Sequence, residues 1–325
     1  MPQDTYQDNE GTDGLMGKTA WVFAGQGAQS PGMGKSLYET SAAARAIFDM
    51  ADTLPGRRIS ALCFEGPKEA LQLTVNTQPC VFTVDMAAAA ALGERGFKPD
   101  VSAGFSLGEY AALSAAGVFS FPEGLKLTAR RAEWMDQAVP AGIGGMAAIL
   151  KLDTETIERI CAELKPHGVV EPVNYNCPGQ TVIAGHKETV AEACRLLEAA
   201  GARTIPLPVS GPFHTSLMAP AAEGLRDILS SMTLQVPACP VYSNVTATPS
   251  DDLEEIRARL VRQVMSRVRW HETISRMLDS GIDTFVEIGP GKTLSGFIRR
   301  ISPEAAVLNV EDKPSLEATC QALSA

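Results

Sequence analysis

Short apolar runs alternate with helix-like segments through most of this 325-residue chain, and the alternation is interrupted once, near Pro140. A run of four to six apolar residues is too short for a helix and reads as a strand buried on both faces. Helices between such strands make the strands parallel. On this basis 19–24 and 101–104 are strands, and 36–52, 78–95, 107–116 and 124–138 are helices. After the interruption, 145–150 reads as a strand and 154–164 as a helix. Strands at 169–174 and 180–184 follow, joined by the turn Cys177-Pro178-Gly179, then a helix at 187–200 and a strand at 202–208. The order βαββαβ is the ferredoxin-like unit. The alternation then resumes, with strands at 241–244 and 283–288 and helices at 253–265 and 271–280. The expected fold is α/β, a parallel-sheet core of residues 16–140 and 212–325 with an inserted ferredoxin-like subdomain at 141–211.

The net charge of −10 disfavours non-specific binding to nucleic acid. Seven cysteines, an odd number without a C-x-x-C pair, argue against a disulfide framework or a zinc site and fit a reducing cytoplasm. The longest apolar stretch, 80–92, contains Thr83 and Asp85 and is too short to span a bilayer. Residues 1–15 carry Asp4, Asp8, Glu10 and Asp13 and no basic residue, unlike a signal or transit peptide. They read as a disordered extension, with Met16 as the original start of the folded protein. The chain is expected to be soluble and monomeric.

Gly104-Phe105-Ser106-Leu107-Gly108 fits the G-x-S-x-G elbow. Chance alone produces this pattern in roughly one such chain in ten. Its setting adds weight, because an apolar run precedes it and a helix-like segment follows, as an elbow requires. The helix start directs backbone N–H groups and a positive dipole end toward Ser106, and the N–H of Leu107 is a candidate oxyanion donor. The alternative is an ordinary serine in a glycine-rich turn.

A nucleophilic serine needs a base, and the chain has four histidines. His167 and His186 adjoin glycines at element ends and read as exposed turn residues. His271 follows Trp270 at a helix start, where a capping or surface role suffices. His214 lies in Ser210-Gly211-Pro212-Phe213-His214, a stiff loop able to hold an imidazole still. It is the candidate base, with a purely structural histidine as the alternative.

Further segments share this order along the chain: Gly25-Gln26-Gly27-Ala28-Gln29, then Arg131 ahead of Met135-Asp136-Gln137-Ala138-Val139-Pro140, then Asn174-Tyr175-Asn176-Cys177-Pro178-Gly179-Gln180, and Glu287-Ile288-Gly289-Pro290-Gly291-Lys292. Together with the elbow and Gly-Pro-Phe-His, they resemble the malonyl-CoA:acyl carrier protein transacylase family over residues 17–312. The resemblance implies a hydrolase-like α/β core and a Ser106–His214 dyad. It implies an oxyanion hole from the backbone N–H groups of Gln26 and Leu107, and Arg131 as the grip on the malonyl carboxylate. It further implies a main-chain carbonyl, matched here to Arg269, that orients the histidine. The partners implied are malonyl-CoA and acyl carrier protein, in fatty acid synthesis, with ping-pong transfer through acyl-serine and no metal or cofactor. Phe213 resembles the malonyl-selecting form of the acyl pocket. Phe105 departs from the family, which usually has histidine there, and so exchanges a polar pocket contact for apolar bulk.

Two other motifs mislead. Gly289-Pro290-Gly291-Lys292-Thr293 lacks the leading glycine of a phosphate-binding loop, since residue 286 is Val286. Gly25-Gln26-Gly27 lacks the third glycine of a dinucleotide fingerprint, since residue 30 is Ser30. The competing functions are a serine hydrolase such as a thioesterase, a transacylase of polyketide or malonate metabolism, and a silent scaffold that binds carrier protein. Because this chain and an acyl carrier protein are both acidic, docking calls for a concentrated basic patch. The segment 256–270 supplies Arg257, Arg259, Arg262, Arg267 and Arg269, and helical spacing favours Arg259, Arg262 and Arg267 over Arg257. A solvated basic helix face is the alternative.

Overall fold

The computed structural model describes residues 17–209 and 211–325. The expectations for residues 1–15 and for Met16 lie outside them. Nine strands are present among the described residues: β1 (Lys18–Phe23), β2 (Val101–Gly104), β3 (Gly144–Leu150), β4 (Val170–Cys177), β5 (Gln180–His186), β6 (Arg203–Pro206), β7 (Val241–Tyr242), β8 (Ile282–Ile288) and β9 (Ala306–Val310). Five form a parallel sheet in the order β7-β2-β1-β8-β9. The other four form an antiparallel sheet in the order β4-β5-β3-β6, the ferredoxin-like arrangement expected from the βαββαβ pattern.

The central strands β1 and β2 are apolar and buried, as a parallel sheet covered on both faces requires. They end level with each other and with β8, since Phe23 pairs with both Gly104 and Ile288. The loops after all three strands therefore gather at one edge, where ligand sites of parallel α/β sheets form.

The helix Thr74–Glu94 is buried along most of its length against this sheet. It starts four residues before the sequence suggests, at β-branched and polar residues of modest helix propensity. Pro79 lies inside it and cannot donate to the Val75 carbonyl; Arg57 Nη1 donates to that oxygen instead, at 2.5 Å. The single helix expected at 36–52 is two helices, Lys35–Thr40 and Ala42–Ala51. Ser41 is extended between them, and its hydroxyl accepts from the Ala44 N–H as an N-cap.

In the small sheet, β4 continues to Cys177 and pairs it with Gln180 across the two-residue turn Pro178-Gly179, with Gly179 at φ 70°. The helices Thr154–Glu163 and Lys187–Ala199 pack on this sheet around Ile149, Ile157, Val170, Ile183 and Leu197. The free edge of β4 is stitched to the core by Val268, which accepts from the Tyr175 N–H (3.0 Å) and donates to the Val173 carbonyl (2.7 Å). No helix among the described residues is long and apolar enough to cross a membrane.

Candidate active site

The turn after β2 is built by contact distance. A Cβ on Gly104 would sit 1.8 Å from the Gly108 carbonyl carbon, and one on Gly108 would sit 2.2 Å from the Phe23 carbonyl oxygen. Only glycine lets strand, turn and helix approach so closely. Ser106, between them, has φ 52°, a left-handed conformation that costs a side-chain-bearing residue free energy and persists only where its surroundings impose it.

Those surroundings are two amide side chains from distant parts of the chain. Asn244, just beyond β7, accepts from the Ser106 N–H through Oδ1 and donates to the Gly104 carbonyl through Nδ2, both at 2.7 Å. Gln263, the last residue of the helix Leu253–Gln263, donates from Nε2 to the Ser106 carbonyl at 2.9 Å. Among the described residues, the backbone N–H groups of Leu107 and Gln26 have no acceptor, so both are free to meet a ligand oxygen.

Ser106 Oγ lies 2.7 Å from His214 Nε2 and accepts from Arg131 Nη2 at 3.1 Å. With Arg131 donating, the serine proton points to Nε2, and His214 carries its own proton on Nδ1. That N–H faces the carbonyls of Gln263 (2.9 Å) and Ser266 (3.1 Å). His214 is itself at φ 66°, and its backbone N–H donates to the Val264 carbonyl. Burial, and then the charge of Arg131, push the imidazole pKa down to about 4, so the ring is neutral near pH 7.

The orienting carbonyl expected at Arg269 is elsewhere. Arg269 precedes the helix Trp270–Asp279, so its carbonyl is taken by the Thr273 N–H and hydroxyl, each at 2.9 Å. The preceding helix stops at Gln263, and the carbonyls at its C-terminal end lack the intrahelical donors that a continuing helix would supply. Gln263 at that end, and Ser266 in the turn beyond it, present oxygens to His214.

Arg131 is 1% exposed on the helix Phe121–Gln137. It donates to Gln78 Oε1 (2.7 Å) and Gln263 Oε1 (3.0 Å) and lies over the Tyr110 ring. It forms no salt bridge with a carboxylate of the described chain. A buried cation held by neutral amides is poised to take an anion from a ligand. The two aromatic residues expected in the acyl pocket part company. Phe213 packs in the main core cluster that also holds Leu107 and Met135, whereas Phe105 turns toward Trp270 and Phe297, with ring centroids 5.5 and 6.2 Å away.

A groove of about 590 Å³ leads to His214 between the antiparallel sheet with its helix Thr154–Glu163 and the 264–269 segment, lined by Glu158, Lys165, Glu171, Met265, Arg267 and Arg269 among others. Arg267 and Arg262 are exposed, and Arg267 pairs with Glu158 at 3.2 Å. Arg259 is not part of the surface. It is 6% exposed, because Ile256, Arg259, Leu260 and Gln263 form the inward stripe of their helix, and its guanidinium binds the Thr248 carbonyl and Glu255. The contributors to the site that went unremarked in the sequence include Asn244, Gln263 and Glu109. The third had a local signal, being the one charged residue of an otherwise neutral, mostly apolar helix.

A serine on a strained elbow, a neutral imidazole on its hydroxyl and free N–H groups beside it are the equipment of serine-based acyl transfer and hydrolysis. Comparison with known proteins narrows the class. The acyl transferase domain matches residues 20–312. The malonyl CoA-acyl carrier protein transacylase of Bacillus subtilis is 43% identical over 310 residues, 95% of this chain and 98% of the relative. The acyl-carrier-protein S-malonyltransferase of Bartonella henselae superposes with a TM-score of 0.92 at 40% identity, over 95% of this chain and 100% of that one. A malonyl-transacylase solved in complex with its type II PKS acyl-carrier protein also gives 0.92 at 40% identity, covering 94% and 99%. The chain belongs to the acyl transferase family, among the malonyl CoA-acyl carrier protein transacylases.

Proposed function

We propose that this protein moves a malonyl group from malonyl-CoA to the phosphopantetheine thiol of acyl carrier protein, for fatty acid synthesis, through an ester on Ser106. The observation that carries the reading is the single oxygen Ser106 Oγ, held 2.7 Å from a neutral imidazole and 3.1 Å from a buried guanidinium that has no salt-bridge partner among the described residues. His214 Nε2 takes the Ser106 proton as Oγ attacks the thioester carbonyl. The N–H groups of Leu107 and Gln26 receive the developing oxyanion. As the tetrahedral adduct collapses, the C–S bond breaks and the imidazolium returns its proton to the departing thiolate. In the second half, the carrier thiol gives its proton to His214 and attacks the ester, and Ser106 recovers the proton. Arg131 shifts from Ser106 to the malonyl carboxylate, whose planar oxygens suit its fork.

The same reading makes residues 141–211 a small inserted subdomain and the protein a cytoplasmic monomer, consistent with seven free cysteines. Docking of the acidic carrier falls to the exposed Arg262 and to Arg267, which lines the groove; reversing both charges raises KM for carrier protein at low salt and leaves a small thiol acceptor unaffected. The relative solved with a type II PKS carrier favours a second reading, in which the acceptor is a polyketide-synthesis carrier protein. Mass spectrometry tests the core of the proposal. Incubation with malonyl-CoA gives malonyl-Ser106, and carrier protein discharges it faster than water does. Malonyl on another residue defeats the assignment, and equal discharge by water points to a hydrolase.

A further inference from the structure

Asn244 is 1% exposed and uses every polar group it has. Its side-chain amide spans the elbow, donating to the Gly104 carbonyl and accepting from the Ser106 N–H, each at 2.7 Å. Its own backbone N–H is fixed by Glu109 Oε2 at 3.0 Å, and its carbonyl accepts from the Arg269 N–H at 3.1 Å. Glu109 Oε2 also accepts from Gln263 Nε2 at 2.6 Å, and that nitrogen holds the Ser106 carbonyl. The peptide groups on both sides of Ser106 are thus held by side chains more than 130 positions away in sequence.

We propose that Asn244 is a positioning residue for the nucleophile, gripping the two peptides that flank Phe105 so that Ser106 stays in its left-handed conformation with Oγ aimed at His214. The inference rests on Ser106 being the nucleophile. Without the grip, a serine at φ 52° is free to relax toward ordinary backbone angles, which swings Oγ off the imidazole. Reactions of this kind lose rate steeply when the attacking atom is misplaced by about an ångström.

The test is rapid-quench acylation of the intact protein with malonyl-CoA, alongside labelling by a neutral fluorophosphonate that reads Ser106 reactivity without involving a carboxylate. Asn244→Ala is expected to slow both reactions on the order of 10²-fold while KM for malonyl-CoA moves less than about threefold. Asn244→Asp keeps the size and the acceptor for the Ser106 N–H, and guards against an alanine variant that fails to fold. Its protonated form also restores the donor to the Gly104 carbonyl, so its rate relative to wild type climbs as pH falls. Folded variants that acylate and label within threefold of wild type at every pH overturn the proposal. So does a loss carried in KM alone. Wild-type protein that takes no malonyl at Ser106 removes the nucleophile assignment, and the proposal with it.

Discussion

Glu109 and Asp85 are both sealed from solvent, at 3% and 0% exposure, each on a helix packed in the main core. Their neighbours differ completely. Glu109 accepts from the Asn244 N–H and from Gln263 Nε2, and Arg131 adds a favourable charge; burial raises its pKa while these partners pull it back. Asp85 faces the Gly289 turn, where a Cβ on Gly289 would lie 1.8 Å from its Oδ1. Neither of its oxygens has a hydrogen-bond partner among the described residues. Burial pushes its pKa well up, Glu287 pushes it further, and nothing opposes them. Equal burial therefore produces a structural anchor in one place and, in the other, an unpartnered acid whose pKa is pushed well up. What differs is whether polar groups were built around the carboxyl. Around Glu109 polar groups are matched and tied to the backbone of Ser106, and substitutions there should cost rate. At Asp85 they are not, and substitution should change stability alone.

The sharpest contrast is expected at His214. His214→Ala should slow acylation by about 10³-fold, within the range for loss of a general base. Wild-type kcat/KM should keep its base through mildly acidic pH, with the acid limb near the lowered value of about 4 rather than the ordinary 6.5. An acid limb at 6.5 breaks the claim that burial and Arg131 set this imidazole. The stability contribution has the matching sign. The unfolded histidine binds a proton below 6.5 while the folded one does not until about 4, so the folded state loses stability as pH falls through that window.

Arg131→Ala comes next, with a loss of about 10² to 10³ in kcat/KM for malonyl-CoA, as two charge-assisted hydrogen bonds disappear. Acetyl-CoA has no carboxylate to lose. Removing the guanidinium also lifts the second of the two causes that depress His214, so acetyl turnover should hold or improve. Equal losses on both thioesters would make Arg131 a structural residue and weaken the contrast.

The smallest effect belongs to the unmatched acid. Asp85→Ala removes two unpartnered oxygens and places a better helix former in the interior of Thr74–Glu94. It should stabilise the protein by about 1 kcal/mol in thermal or denaturant unfolding and leave acylation unchanged. In the wild type, folded Asp85 keeps its proton after the unfolded chain has released its own at 3.8. Stability therefore declines as pH rises from there through the raised folded value, and the alanine variant should lack that decline. A destabilised variant, or one with tenfold slower chemistry, would mean that Asp85 is matched after all.

How much of this is written locally explains what the sequence reveals. The elbow is five consecutive residues with a strand before and a helix after, so its geometry is legible. Asn244 and Gln263 reach Ser106 from far along the chain, and no spacing rule connects them to it. The orienting carbonyl was misplaced for a related reason. A helix carried to residue 265 hides the end at Gln263, and that end is what offers oxygens to His214. Arg259 misled because a charged residue on a helix reads as outward-facing, yet it lies on the stripe that packs inward. The helices Ala219–Ser231, Thr293–Ile301 and Lys313–Leu323 and strand β9 had no sequence-based expectation at all. Strand β9 is half-buried and mixed in character, which blunts the apolar run that marked β1 and β2.

Asn244 takes hold of the elbow by the main chain on either side of residue 105, through hydrogen bonds that do not involve that residue's side chain. Phe105 meanwhile settles its ring against Trp270 and Phe297. The backbone shape that chemistry needs and the identity of the residue at its apex are therefore inherited separately. Replacing the side chain at 105 therefore leaves the hydrogen bonds that hold the turn in place.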